Sequence, residues 1–83
     1  MQIIIDKKAV KEINKLDSVI ANRIYEYLEK LEGIDPRTKG KILKGELNHL
    51  WRYRVGDYRI LAEIQDEELI ILIVRISHRS NVY

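Results

Sequence analysis

The sequence predicts an α+β fold of order β-α-α-β-β-β, with a helical hairpin packed on one face of a small antiparallel sheet. Three observations predict it. Apolar residues recur every three or four positions between Ala9 and Leu31. From Trp51 onward the period drops to two. Between these regions lies a stretch with Pro36, Gly40 and Gly45 and no strong periodicity.

Gln2–Ile5 is short, β-branched and apolar, and reads as a first strand. Asp6 offers a carboxylate at a helix N-cap. Ala9, Val10, Ile13 and Leu16 then mark one face of a short helix over Lys7–Leu16. Asp17-Ser18 supplies a second cap, and Ile20, Ile24, Tyr27, Leu28 and Leu31 line a longer helix that Gly33 is expected to end. With almost no linker, the two helices should form a hairpin. Ile34–Leu47 reads as a loop with one helical turn expected near Lys41–Lys44.

Trp51, Tyr53 and Val55 alternate with Arg52 and Arg54, which gives a strand with one apolar and one cationic side. Gly56-Asp57 turns the chain into Tyr58–Ile64, and Asp66-Glu67 turns it again into Leu69–Ile76. That last strand is apolar on both faces, as a central strand would be. His78–Tyr83 is expected to be a polar tail. Trp51, Tyr53 and Tyr58 are assigned to the core side. The chain is expected to form one domain over 1–83, and at this length its core is thin, burying about 60% of the unfolded surface.

Composition narrows the chemistry. Hydrophobic residues at 46% argue against disorder, and the absence of cysteine excludes disulfide and thiolate chemistry. Met1–Ile5 runs into Asp6-Lys7-Lys8 rather than a long apolar run, and Leu69–Val74 is too short to cross a bilayer. A soluble cytoplasmic protein with no membrane partner is expected. His49 and His78 are the only histidines, and no tight carboxylate cluster accompanies them, so no metal site is expected. Lys39-Gly40 and Lys44-Gly45 lack the spacing of a phosphate loop, and no small-molecule cofactor is expected. Ser77, His78 and Asp57 could be drawn as a nucleophilic triad, but no oxyanion framework accompanies them.

The net charge of +2 conceals a local excess. Residues 36–59 carry seven basic side chains (Arg37, Lys39, Lys41, Lys44, Arg52, Arg54 and Arg59) against two acidic ones (Glu46 and Asp57). On a pleated strand Arg52 and Arg54 share one side, and a regular hairpin at Gly56-Asp57 brings Arg59 alongside. Guanidinium groups gathered on one face suit phosphate oxygens, which they bind with several planar donors. Arg79 and Tyr83 could close one end of such a face, the tyrosine by stacking on a base or moving a proton. A merely solvated basic strand is the competing reading.

At these residues the chain resembles the RelE/ParE toxin superfamily. Leu50-Trp51-Arg52-Tyr53-Arg54-Val55-Gly56-Asp57-Tyr58-Arg59-Ile60 is similar to its central signature. Ile76-Ser77-His78-Arg79-Ser80-Asn81-Val82-Tyr83 is similar to its closing segment, and Lys39-Gly40-Lys41-Ile42-Leu43-Lys44-Gly45 to its basic stretch. The resemblance spans nearly the whole chain and implies a microbial-RNase-type fold. A RelE-like member would be the toxin of a type II toxin–antitoxin pair that cleaves mRNA in the ribosomal A site without a metal. Its partners would be a RelB-like antitoxin and the ribosome.

Carried over by residue, the resemblance makes Arg59 the contact to the scissile phosphate and a stabiliser of the transition state, Arg79 a second charge stabiliser or a proton donor, and Tyr83 the residue that stacks on the base and assists proton transfer. Arg54 and His78 would complete the catalytic group, and Arg52, Lys39, Lys41 and Lys44 would hold RNA. The family's basic strand carries lysines where this chain has Arg52 and Arg54, and arginine does not surrender its proton. The general base is therefore Tyr83, His78 or a ribosomal group. Ser77 stands where some members have an arginine. Two other readings stay open: a ParE-like toxin that poisons DNA gyrase without catalysis, and an inactive RNA-binding module.

Overall fold

Two α-helices begin where an aspartate closes the first turn. In the computed structural model, which describes residues 1–81, strand β1 (Gln2–Ile5) leads into helix α1 (Lys7–Asn14). The Asp6 side chain accepts from the Lys8 N–H at 3.2 Å. Helix α2 (Ser18–Glu32) starts on Asp17, whose Oδ1 accepts from the N–H groups of Val19 and Ile20 at 3.0 and 3.1 Å. Such caps each contribute about 1 kcal/mol. The first helix stops two residues short of the expected Leu16. The N–H groups of Lys15 and Leu16 bond three residues back, to Glu12 and Ile13, and the Asp17 cap restarts the chain.

The segment expected as a loop carries more order than its sequence suggested. Short 3₁₀ turns occupy Pro36–Thr38 and Gly45–Leu47, and between them Lys41–Ile42 forms a two-residue strand, β2. The helical turn expected over Lys41–Lys44 is therefore replaced by strand pairing. Gly40 explains this: at φ +68° it lies so close to the next strand that a Cβ would collide with the Arg52 carbonyl oxygen, the Tyr53 ring and the Trp51 indole nitrogen. Only a glycine lets the chain press against that strand.

Strands β3 (Trp51–Val55), β4 (Tyr58–Gln65) and β5 (Ile70–His78) form the expected antiparallel meander. The sheet order is β1-β5-β4-β3-β2, with β1 parallel to β5 at one edge and β2 antiparallel to β3 at the other. Gly56, at φ +57°, opens the two-residue turn between β3 and β4.

Both helices lie on one face. Ala9 and Ile13 from α1 and Ile24, Leu28 and Leu31 from α2 join Tyr53, Ile60, Ala62, Ile71, Ile73 and Ile76 in one buried cluster. Fully burying each Ile or Leu contributes about 1.5–3 kcal/mol. Truncating Ile24, which is fully buried, to alanine would cost about 2–5 kcal/mol. Trp51 and Tyr58 pack partly buried against this cluster.

One irregularity decides what the other face carries. Leu61 pairs with Arg75 but Ala62 pairs with Ile73, so Val74 is an extra residue in β5. This bulge resets the alternation. Ile73 and Ile76 both point to the helices, and Arg75 and Ser77 are turned to the opposite side.

Candidate functional site

The sheet face away from the helices gathers cations from four neighbouring strands. In register across it stand Lys41 on β2, Arg52 on β3, Leu61 on β4 and Arg75 on β5. The adjacent row is Arg54, Arg59 and Ser77. Directly paired residues project to one side of a sheet, so these seven side chains share one surface. Leu61 is 3% exposed within it, standing between Arg52 and Arg75 in the row. Ser77 is 5% exposed, and its hydroxyl has no hydrogen-bond partner among the described residues.

The tail closes one end of the face. The backbone N–H of Arg79 donates to the Asp57 carbonyl oxygen at 2.7 Å, which pins the chain after β5 to the β3–β4 turn. The Arg79 Nε lies 3.7 Å from the Asp57 carboxylate, an exposed and therefore weak ion pair. The result is a cleft of about 130 Å³ lined by Arg54, Gly56, Asp57, Tyr58, Arg59 and Arg79. A second concavity, about 290 Å³, follows the β3 edge beyond the short β2 and is lined by Tyr27, Gly40, Lys41, Arg52 and Arg54. Three guanidinium groups around one small cleft can hold a single tetrahedral anion by several planar donors at once.

The residues singled out from the sequence are distributed unevenly. Arg54, Arg59 and Arg79 share the smaller cleft, and Arg52 and Lys41 line its neighbour. Lys39 and Lys44 are exposed in the segments flanking β2, and the Lys39 carbonyl accepts from the Trp51 indole N–H at 2.6 Å.

His78 is turned away. It is the last residue of β5 rather than the start of the tail, and it pairs with Tyr58 on the helix-facing side. The two rings meet edge to face with centroids 5.3 Å apart. Its Nδ1 accepts from the Ser80 N–H at 3.2 Å and lies 2.8 Å from the Ser80 hydroxyl. Tyr83 lies outside the described residues.

Arg75 belongs to this surface although simple alternation along β5 does not predict it. Strict alternation from Ile71 and Ile73 would have buried it, and only the bulge at Val74 places it outward. The available signal was a single charge inside an otherwise apolar run, Leu69–Ile76. Among the described residues, no group of three or more His, Asp or Glu side chains is arranged to hold a metal ion, and no helix is long and apolar enough to cross a membrane.

Known proteins share both the sequence pattern and this architecture. A sequence-family profile described as the ParE toxin of type II toxin–antitoxin system, parDE, matches residues 3–83. The chain is 32% identical over 75 residues to Toxin RelG of Mycobacterium tuberculosis, covering 90% of this chain and 86% of that protein. It is similar to the toxin chain in the crystal structure of the M. tuberculosis toxin–antitoxin complex RelBE2, with a TM-score of 0.86 and 30% identity over 94% of this chain and 96% of the other. The intact Escherichia coli RelBE complex contains a chain of the same fold, with a TM-score of 0.80 and 20% identity over 96% of this chain and 98% of the other.

Proposed function

This chain belongs to the RelE/ParE superfamily of type II toxin–antitoxin toxins, and from that premise we propose that it is a ribosome-dependent endoribonuclease that cuts mRNA in the A site. The observation that carries the reading is the convergence of Arg54, Arg59 and Arg79 on one cleft. Guanidinium groups gathered around one cleft offer several planar donors to the oxygens of a single phosphate.

The reaction needs no nucleophile from the protein. The substrate's ribose 2′-oxygen attacks the adjacent phosphorus and the bond to the 5′-oxygen breaks, leaving a cyclic phosphate and a free 5′-hydroxyl. One proton leaves the 2′-hydroxyl and one arrives at the departing oxygen. Arg59 binds the non-bridging oxygens and stabilises the extra negative charge of the pentacovalent state. Arg79 and Arg54 share that charge from the sides of the cleft, and Arg52 and Lys41 hold the flanking backbone. Lys39 and Lys44 add attraction at longer range. Tyr83 stacks on the substrate base and takes part in proton transfer. The placement of His78 on the opposite face supports Tyr83 or a ribosomal group, rather than His78, as the base.

An acidic segment of a cognate RelB-like antitoxin would neutralise the same face, which sits well with relatives crystallised as toxin–antitoxin complexes. A second reading, a ParE-like toxin that poisons DNA gyrase, follows the ParE name of the matching family, whereas the RelE-type relatives favour the first. Mapping the termini left on mRNA by programmed ribosomes separates the two. A cyclic phosphate and a 5′-hydroxyl at the A-site codon are expected. Intact mRNA together with gyrase-dependent DNA breaks would favour the second reading.

A further inference from the structure

We propose that Arg75 is an additional RNA-backbone contact and that Glu12, on the far side of the sheet edge, is the residue that positions it. The inference rests on the ribonuclease reading for the identity of the polyanion. Its geometry is independent of the cleft that holds Arg59.

Beyond Ile73, β5 runs past the end of β1, so one of its edges has no neighbouring strand. Glu12 of α1 covers that edge. Its Oε1 accepts from the Ile76 N–H at 2.9 Å, and its Oε2 lies 3.6 Å from the Arg75 Nε. The carboxylate thus does two jobs. It satisfies a backbone donor that the missing strand leaves open, and it places a negative charge beside the guanidinium that the bulge has turned onto the cationic face.

The pair is only partly exposed, with Arg75 at 33% and Glu12 at 21%, so it is less screened than a surface ion pair. Arg75 and Arg52 lie two strands apart in one row, about 10 Å by ordinary strand spacing, with Leu61 between them. A single strand of RNA crossing the sheet would meet Lys41 and Arg52 on one side of Leu61 and Arg75 on the other. Its scissile phosphate would sit in the adjacent row at Arg59. Arg75 therefore extends the backbone contact to β5, where the sequence alone gave no site.

The test is binding of a fluorescein-labelled single-stranded RNA oligonucleotide to the free protein, followed by anisotropy between about 50 and 200 mM salt. Arg75→Ala should weaken binding about five- to tenfold and reduce the slope of log K against log salt by about 0.7, the value for one phosphate contact on a single strand. Arg75→Lys should restore the slope. Glu12→Gln keeps an acceptor for the Ile76 N–H and should weaken binding about threefold, but have no effect when Arg75 is already alanine.

An unchanged slope in Arg75→Ala overturns the contact. A Glu12→Gln effect that persists without Arg75, or its absence with Arg75 in place, overturns the positioning role. Cleavage on ribosomes by the same variants keeps the two proposals apart. Normal cutting with an Arg75-independent slope defeats this inference alone, and an Arg75-dependent slope without cutting defeats the nuclease reading alone.

Discussion

Arg54 and Arg59 stand directly opposite each other across β3 and β4, two like charges in a position where sheets normally place complementary ones. Such a pair costs about 0.2–1 kcal/mol. Arg54→Gln should therefore stabilise the free protein by about that amount at low salt, and by less at roughly 1 M salt, where the charges are screened. Cleavage should fall at the same time. Urea unfolding at both salt concentrations checks the first effect and a ribosome cleavage assay the second.

Gly40 and Gly45 both have positive φ, +68° and +74°, but only Gly40 is pressed against a strand. Gly45→Ala should cost about 1 kcal/mol, the left-handed penalty alone. Gly40→Ala must also push the chain off β3, so a cost of about 3 kcal/mol or more is expected, together with loss of the Lys41–Arg52 pairing. Denaturation midpoints and amide exchange at Lys41 and Ile42 distinguish the two variants.

Leu69 has φ +56° at the turn into β5 and is 63% exposed, so its side chain gains little from burial while its backbone is strained. Leu69→Gly should raise stability by about 1 kcal/mol, seen as a higher melting temperature. An unchanged or lower value would mean that the side chain makes a stabilising contact.

Two groups set opposite limits on pH. The hydrogen bonds from Arg37 to Asp66, 2.8 and 2.9 Å long, hold the Asp66 carboxyl below its usual pKa. This lowered pKa gives stability that is full above the unfolded value, about 3.9, and is lost as pH falls through the folded one. Asp66→Asn should remove that acid component from the melting curve. Burial pushes the Tyr53 hydroxyl above its ordinary range, while it donates to the Pro36 carbonyl oxygen at 2.7 Å. A raised pKa gives stability that is full below about pH 10 and is lost as pH rises through the folded value. Tyr53→Phe should cost about 1 kcal/mol at neutral pH and flatten the alkaline limb.

The helix starts were legible because Asp6 and Asp17 cap by local chemistry that needs no tertiary partner. The cationic face of β3 was legible because a two-residue period leaves Arg52 and Arg54 no choice of side. Three features depended on distant contacts. Strand β2 exists because Gly40 docks on β3, and two residues carry no period. The outward turn of Arg75 and Ser77 comes from one extra residue in β5, which an apolar run conceals. His78 looked like a tail residue because β5 continues beyond its apolar stretch, and that continuation sends it to the helix side.

The most direct measurement is toeprinting of mRNA on programmed ribosomes with the wild type and with Arg59→Ala. Cuts are expected at the A-site codon, at a rate about 10²–10³-fold lower in the variant, as when a stabiliser of transition-state charge is removed from an otherwise intact fold. Cuts that continue undiminished in Arg59→Ala, or a wild type that never cuts, would contradict the nuclease reading.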